Sequence, residues 1–261
     1  MRHAMRWGTA FTRCHTTSDV QATDYRSMSA EERERIGLLQ GHLLYGVHES
    51  CPGPHTYVTM LRDPVRRVIS SYYYVLKTHP GTYKEELGLK GYGGSPKYAN
   101  LMAGYLAGVT AEERRAMADR ELLDRAMNNL KSGIAVAGLT EKFDESLILM
   151  RRKLGWPLYP FYLRAKSNTS RPSFADVPQS TRSAIRDANH VDVKLYEYAK
   201  QRIEHQLDEF PGIHQEVDRF QQLNQYYQNY GGPLINVARI FRNLANGRAP
   251  FHEYRIHDLT N

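Results

Sequence analysis

Residues 57–75 read Tyr-Val-Thr-Met-Leu-Arg-Asp-Pro-Val-Arg-Arg-Val-Ile-Ser-Ser-Tyr-Tyr-Tyr-Val. Tyr57 to Leu61 are β-formers or apolar residues without a break, and they predict a short buried strand. Asp63 can cap a helix, and Pro64 suits its first position, where no N–H is needed. Val65, Val68, Ile69, Tyr72 and Val75 then recur at helical spacing. A strand therefore runs straight into a helix amino end, with Arg62 at the junction. Free backbone N–H groups and the helix dipole make such a junction a natural anion site. Arg62 adds a planar, permanently charged fork suited to phosphate. Helical side chains lean toward the amino end, so Ser70 can aim its hydroxyl at the same corner. Arg66 and Arg67 lie one turn before it.

The tripeptide Arg62-Asp63-Pro64 alone is equally an ordinary turn. The longer pattern, Arg62-Asp63-Pro64-Val65 with Arg67, Ser70, Tyr72 and Tyr73, resembles the 3′-phosphate-binding motif of the sulfotransferases. It is similar in particular to the carbohydrate group that includes the heparan and uronyl 2-O-sulfotransferases and bacterial relatives. The resemblance implies an α/β fold: a P-loop-NTPase-like parallel sheet flanked by helices. It also implies 3′-phosphoadenosine 5′-phosphosulfate (PAPS) as co-substrate, with no metal. Arg62 and Ser70 would hold its 3′-phosphate, with Arg67 as a further cofactor contact.

The bulk properties agree with a soluble globular chain. Its 261 residues make one large domain or a domain with extensions, and 41% hydrophobic with 24% charged residues is ordinary composition. A net charge of +7 and a pI near 9.3 favour an anionic partner. Cys14 and Cys51 form neither a metal spacing nor a disulfide framework. No apolar run is long enough for a membrane span, and Arg2, Arg6 and Arg13 interrupt any signal-peptide core. The expected location is cytoplasmic, or the Golgi lumen if an anchor lies upstream.

Working outward, Met1 to Phe11 is read as part of a helix and residues 14 to 28 as a polar loop. Ser29-Ala-Glu-Glu32 is a capping box that opens a short helix. Ile36 to Leu39 reads as a strand, followed by Gly41-His42. The Gly-rich stretch from His79 to Lys97 reads as a loop, either plain surface or a lid over an acceptor. A helix is expected near Tyr98 to Leu106, and a second capping box at Thr110 opens one running to about Leu130. Ile134 to Leu139 is a second buried strand. The helix after it carries Phe143, Leu147, Met150 and Leu154 on one face and stops at Gly155. Gly138 to Leu147 again looks like the sulfotransferase group. Asp192 to Phe210 is an amphipathic helix with Leu195, Ala199, Ile203 and Leu207 in line, and a further helix is expected over Gly212 to Tyr230. The domain is thus read as residues 1–230, with a basic extension at 231–261.

The remaining site residues follow from the resemblance. A loop at Tyr159 to Pro172 would close over the nucleotide end, which makes Lys166, Ser167 and Arg171 candidate cofactor contacts. Gly41-His42 matches a Gly-His that carries the catalytic base of the 2-O-sulfotransferase group, and an ordinary histidine titrates near neutrality. That group often has another histidine two residues earlier, where this chain has Gln40. His48 and His55 are weaker alternatives. The family's opening strand and its Pro-Lys-x-x-(Gly/Ala)-(Ser/Thr)-(Ser/Thr) loop, which cradles the 5′-phosphosulfate, have no match before Gly41. The resemblance covers about residues 36–210, the first strand is read as missing, and roughly 15–30 further residues are expected upstream of Met1. The expected activity is sulfuryl transfer from PAPS to a hydroxyl, on a carbohydrate acceptor. Two rivals stay open: a catalytically inactive relative that binds nucleotide or serves as an interaction domain, and a basic nucleic-acid-binding protein. The second predicts affinity for DNA or RNA that collapses with salt.

Overall fold

The structure is a computed structural model that describes residues 4–7, 10–17, 23–81, 86–163 and 172–231, with side chains from residue 25 onward. The chain opens with β1 (Ala4–Trp7), β2 (Ala10–Thr17), α1 (Thr23–Ser27), α2 (Ala30–Glu34) and β3 (Ile36–Gly41). After a 3₁₀ turn at Val47–Ser50 come β4 (Tyr57–Leu61) and α3 (Pro64–Thr78). Helices α4 (Gly88–Gly94), α5 (Leu101–Ala107), α6 (Ala111–Ala116) and α7 (Asp119–Ser132) lead to β5 (Ile134–Leu139). The helices α8 (Phe143–Leu154), α9 (Gln179–Ala188), α10 (His190–Asp208) and α11 (Ile213–Tyr226) follow. The fold is α/β and mostly helical. No helix among the described residues is long and apolar enough to cross a membrane.

The strands form two sheets. β4 and β5 pair in parallel, with Val58 opposite Val136 and Leu61 opposite Leu139. The other sheet has the order β1-β2-β3, with β1 antiparallel and β3 parallel to β2. A single all-parallel sheet is thus not what these described strands form. Strands also stand where a helix over Met1 to Phe11 and a polar loop from residue 14 were expected, because backbone pairing overrides the weak helical pattern there.

The main core wraps β5, whose Val136, Ala137 and Leu139 are buried. Leu122, Ala126 and Leu130 of α7, Ile148 and Leu149 of α8, and the α10 stripe Leu195, Ala199, Ile203 and Leu207 close over it. Burying one such leucine or isoleucine contributes about 1.5–3 kcal/mol. On α8 the buried line is Ser146, Ile148, Leu149 and Met150, with Leu147 and Leu154 packed at its margin. A second cluster joins Val65, Val68, Ile69 and Tyr72 of α3 to Tyr92, Tyr98 and Ile185.

That second cluster explains the Gly-rich segment. Gly88–Gly94 is helical rather than loop, with Tyr92 and Gly93 buried. Tyr92 stacks on Tyr98 with centroids 4.3 Å apart, and its hydroxyl lies 2.8 Å from Ser71 Oγ. Tertiary packing here outweighs the low helix propensity of glycine. A Cβ on Gly93 would lie 2.6 Å from Ile185 Cγ1 and 2.9 Å from Val68 Cγ1. Gly93→Ala should therefore destabilise the fold by about 1–3 kcal/mol, exceeding any propensity gain. A fall in the urea midpoint at unchanged slope is the expected readout; a rise would show that the helices separate without strain.

The expected helix over Thr110–Leu130 is two helices. Met117 and Ala118 are extended, with ψ near 141° and 140°. Asp119 and Glu121 then supply the acidic first turn that favours a new amino end.

Candidate functional site

Arg62 lies where β4 ends and α3 begins, half-buried. The strand carries it there because Tyr57–Leu61 pairs along its whole length with β5. The helix begins there because Asp63 Oδ1 accepts from Arg66 N at 2.8 Å and Pro64 takes the first position. Parallel pairing puts the carboxyl ends of β4 and β5 side by side, the usual ligand side of an α/β sheet. Thr140 secures this end: its N and its Oγ1 both donate to Leu61 O, at 2.8 and 3.0 Å. Glu141 Oε1 accepts from Asp63 N at 3.2 Å, and Glu141 Oε2 accepts from the Tyr196 hydroxyl at 2.8 Å. Burial, and then the Glu141 carboxylate, push the Tyr196 hydroxyl well above its ordinary pKa. The corner is thus held by fixed partners around a half-buried guanidinium. Ser70 is half-buried on the same helix, less than two turns from its start.

Arg67 points to a different environment. Its guanidinium donates to Tyr98 O at 3.3 Å and to Asn189 Oδ1 at 3.2 Å, and stands 3.6 Å from Asp192 Oδ2. Asp192 is fully buried and accepts from Met102 N and Ala103 N, at 3.2 and 2.8 Å. Burial pushes its carboxyl up from the ordinary value, against the pull of Arg67 and of the two N–H groups. Asn189, also buried, accepts from Asn100 N and donates to Gly93 O and Ile185 O. This polar hub ties α3, α4, α5, α9 and α10 together. Sequence reasoning missed it, although Asp192 stands three residues before Leu195, in line with the apolar stripe of α10. A charged residue at such a position is the signal of a buried carboxylate.

His42 follows the end of β3, as expected, and is exposed. Its ring lies 6.0 Å from that of Tyr105 on α5, and Tyr45 N donates to Tyr105 O at 2.8 Å. The loop bearing His42 therefore rests on the helix whose first N–H groups Asp192 receives. His48 is otherwise engaged: its backbone N and its Nδ1 each lie 2.9 Å from the Tyr57 hydroxyl. The His55 ring packs, tilted, 4.5 Å from that of His48. Lys166, Ser167 and Arg171 lie outside the described residues, as does the extension beyond residue 231. Among the described residues no group of three or more histidine, cysteine, aspartate or glutamate side chains is placed to hold a metal ion.

Comparison with known proteins places the chain in a family. The family model for galactose-3-O-sulfotransferase matches residues 11–231. Human galactose-3-O-sulfotransferase 2 is 24% identical over 247 residues, covering 86% of this chain and 62% of that protein. Human heparan-sulfate 6-O-sulfotransferase 3 is 29% identical over 212 residues, covering 61% of this chain and 44% of that protein. Its mouse counterpart matches to the same extent. The chain thus spans less than two thirds of the length of these relatives. The resemblance to carbohydrate sulfotransferases holds, with relatives named for 3-O and 6-O rather than 2-O sulfation.

Proposed function

The chain belongs to the galactose-3-O-sulfotransferase family, and on that premise we propose that it transfers a sulfuryl group from PAPS to a hydroxyl of a carbohydrate acceptor. The observation that carries the reading is Arg62, half-buried at the paired carboxyl ends of β4 and β5 and at the amino end of α3. The donor set fits a phosphate there. It offers a guanidinium, a hydroxyl and a helix amino end, while the nearby carboxylates of Asp63 and Glu141 are already bound to N–H groups. The same reading makes β4–α3 and β5–α8 neighbouring units of a P-loop-NTPase-like fold, supported by the parallel register of the two strands.

PAPS supplies the activated sulfuryl group and a leaving phosphate. Arg62 and Ser70 bind its 3′-phosphate and so fix the donor. Arg67, tied to Asn189 and Asp192, holds α3 in place from behind. Lys166, Ser167 and Arg171 remain candidate contacts to the nucleotide end. His42 takes the proton of the acceptor hydroxyl. Positioning and electrostatics carry most of the rate, as in phosphoryl transfer.

The test is nucleotide discrimination. Adenosine 3′,5′-bisphosphate should bind better than adenosine 5′-phosphate in calorimetry. A charge-assisted bond contributes about 1.5–3 kcal/mol, so Arg62→Ala should weaken bisphosphate binding by about tenfold or more. Equal affinity of the unsubstituted protein for the two nucleotides would sink the reading.

A further inference from the structure

Two arginines that the motif reading did not assign converge on one ring. The Arg66 guanidinium lies 4.1 Å from the centroid of Phe174, and that of Arg182, on α9, lies 5.0 Å from it. Like charges repel, so two guanidinium groups gathered at one ring need a compensating partner. The ring quadrupole supplies part of that compensation. Among the described residues neither arginine has a carboxylate within ion-pair distance, and Arg182 Nε is buried without a hydrogen-bond partner. The Asp63 carboxylate at the start of α3 is engaged, its Oδ1 accepting from Arg66 N at 2.8 Å. Asp176, near Phe174 in the chain, accepts from Ser173 N at 3.0 Å.

The helix geometry says which way the pair faces. Arg66 and Ser70 are four residues apart on α3 and so share a face, with the Arg66 side chain leaning toward the amino end. Arg67, the next residue, is held on another face by Asn189 and Asp192. The run Arg66-Arg67 therefore splits: one guanidinium is committed to the interior, and its neighbour is exposed.

We propose that Arg66 and Arg182, braced on Phe174, form an oxyanion clamp that holds the co-substrate's 3′-phosphate together with Arg62 and Ser70. This deepens the sulfotransferase reading and rests on it. A phosphate monoester carries close to two negative charges at neutral pH, so a single arginine leaves it undercompensated. Two guanidinium forks would meet its several oxygens with paired N–H groups. Phe174 keeps both forks extended before the ligand arrives, which lowers the ordering loss on binding.

The experiment is calorimetry with adenosine 3′,5′-bisphosphate and adenosine 5′-phosphate on the unsubstituted chain, Arg62→Ala, Arg66→Gln, Arg182→Gln and the Arg66→Gln/Arg182→Gln double variant. Each single glutamine variant should lose roughly threefold to tenfold in bisphosphate affinity and the double variant tenfold or more, with 5′-phosphate affinity unchanged. Arg66→Lys, which keeps the charge without the fork, should fall between. Thermal melting of each variant guards against loss of fold, and Arg66→Lys keeps the test decisive if a glutamine variant melts early. A double variant that binds the bisphosphate as the parent does, while Arg62→Ala does not, overturns the clamp and leaves the sulfotransferase reading intact. A double variant with normal nucleotide binding but a raised acceptor KM also overturns it, because the anion held would then belong to the acceptor. A parent chain that does not prefer the bisphosphate overturns both.

Discussion

Replacing Asp192 by alanine should destabilise the fold by about 3–5 kcal/mol, because it breaks a buried charged network from one side. The carboxylate is fully buried and faces three donors: Arg67, Met102 N and Ala103 N. Without it the two backbone N–H groups at the start of α5 lose their acceptor inside the protein, and the largely buried Arg67 loses its counter-charge. A domain's whole stability is about 5–15 kcal/mol. For a chain of this size the loss corresponds to a fall of roughly 6–20 °C in melting temperature. Arg67→Met should cost less, since Asp192 keeps its two N–H partners. The double variant Arg67→Met with Asp192→Ala should not recover, since restoring a neutral pocket does nothing for Met102 N and Ala103 N. Recovery to parental stability would show that the ion pair alone matters and that α5 does not depend on Asp192.

The hub also marks where the sequence was and was not readable. β4, α3 and β5 were legible because their signals are local: an unbroken run of β-formers, an Asp-Pro cap, a short apolar stretch. The bounds of β4 and β5 coincide with the expectation, and Asp63 caps α3 as its residue type suggests. The α10 stripe was legible for the same reason, since Leu195, Ala199, Ile203 and Leu207 repeat at helical spacing and are all buried. Helix α4 was not, because Gly88–Gly94 forms a helix only by packing Tyr92 and Gly93 against α3 and α9. Helix α9 was not, because only Ile185 in it is fully buried. Of the proposed site, Arg62, Ser70 and His42 are candidates taken from motif positions. The partners that fix the corner, Thr140, Glu141 and Tyr196, were not, since they come from distant stretches and carry no pattern of their own. The division of labour between Arg66 and Arg67 was equally hidden. Adjacent identical residues differ only through what the fold places beside them.

The largest effect on turnover is expected at His42. If it takes the acceptor proton, His42→Ala should lower turnover by roughly 10²–10⁴-fold while bisphosphate binding stays near the parental value. The structure gives reasons to choose it over the other two histidines of this region. His48 lies against the Tyr57 hydroxyl through both its backbone N and its Nδ1, and His55 packs against the His48 ring. His42 is exposed, at the end of a strand, with its ring facing Tyr105. Tyr105 belongs to α5, whose Met102 and Ala103 N–H groups are received by Asp192, which also faces Arg67 of α3. One buried carboxylate thus contacts both the helix beside His42 and the helix that carries Ser70. His48→Ala should keep turnover near the parental value. Turnover of His42→Ala within a fewfold of the parent would show that another group takes the proton.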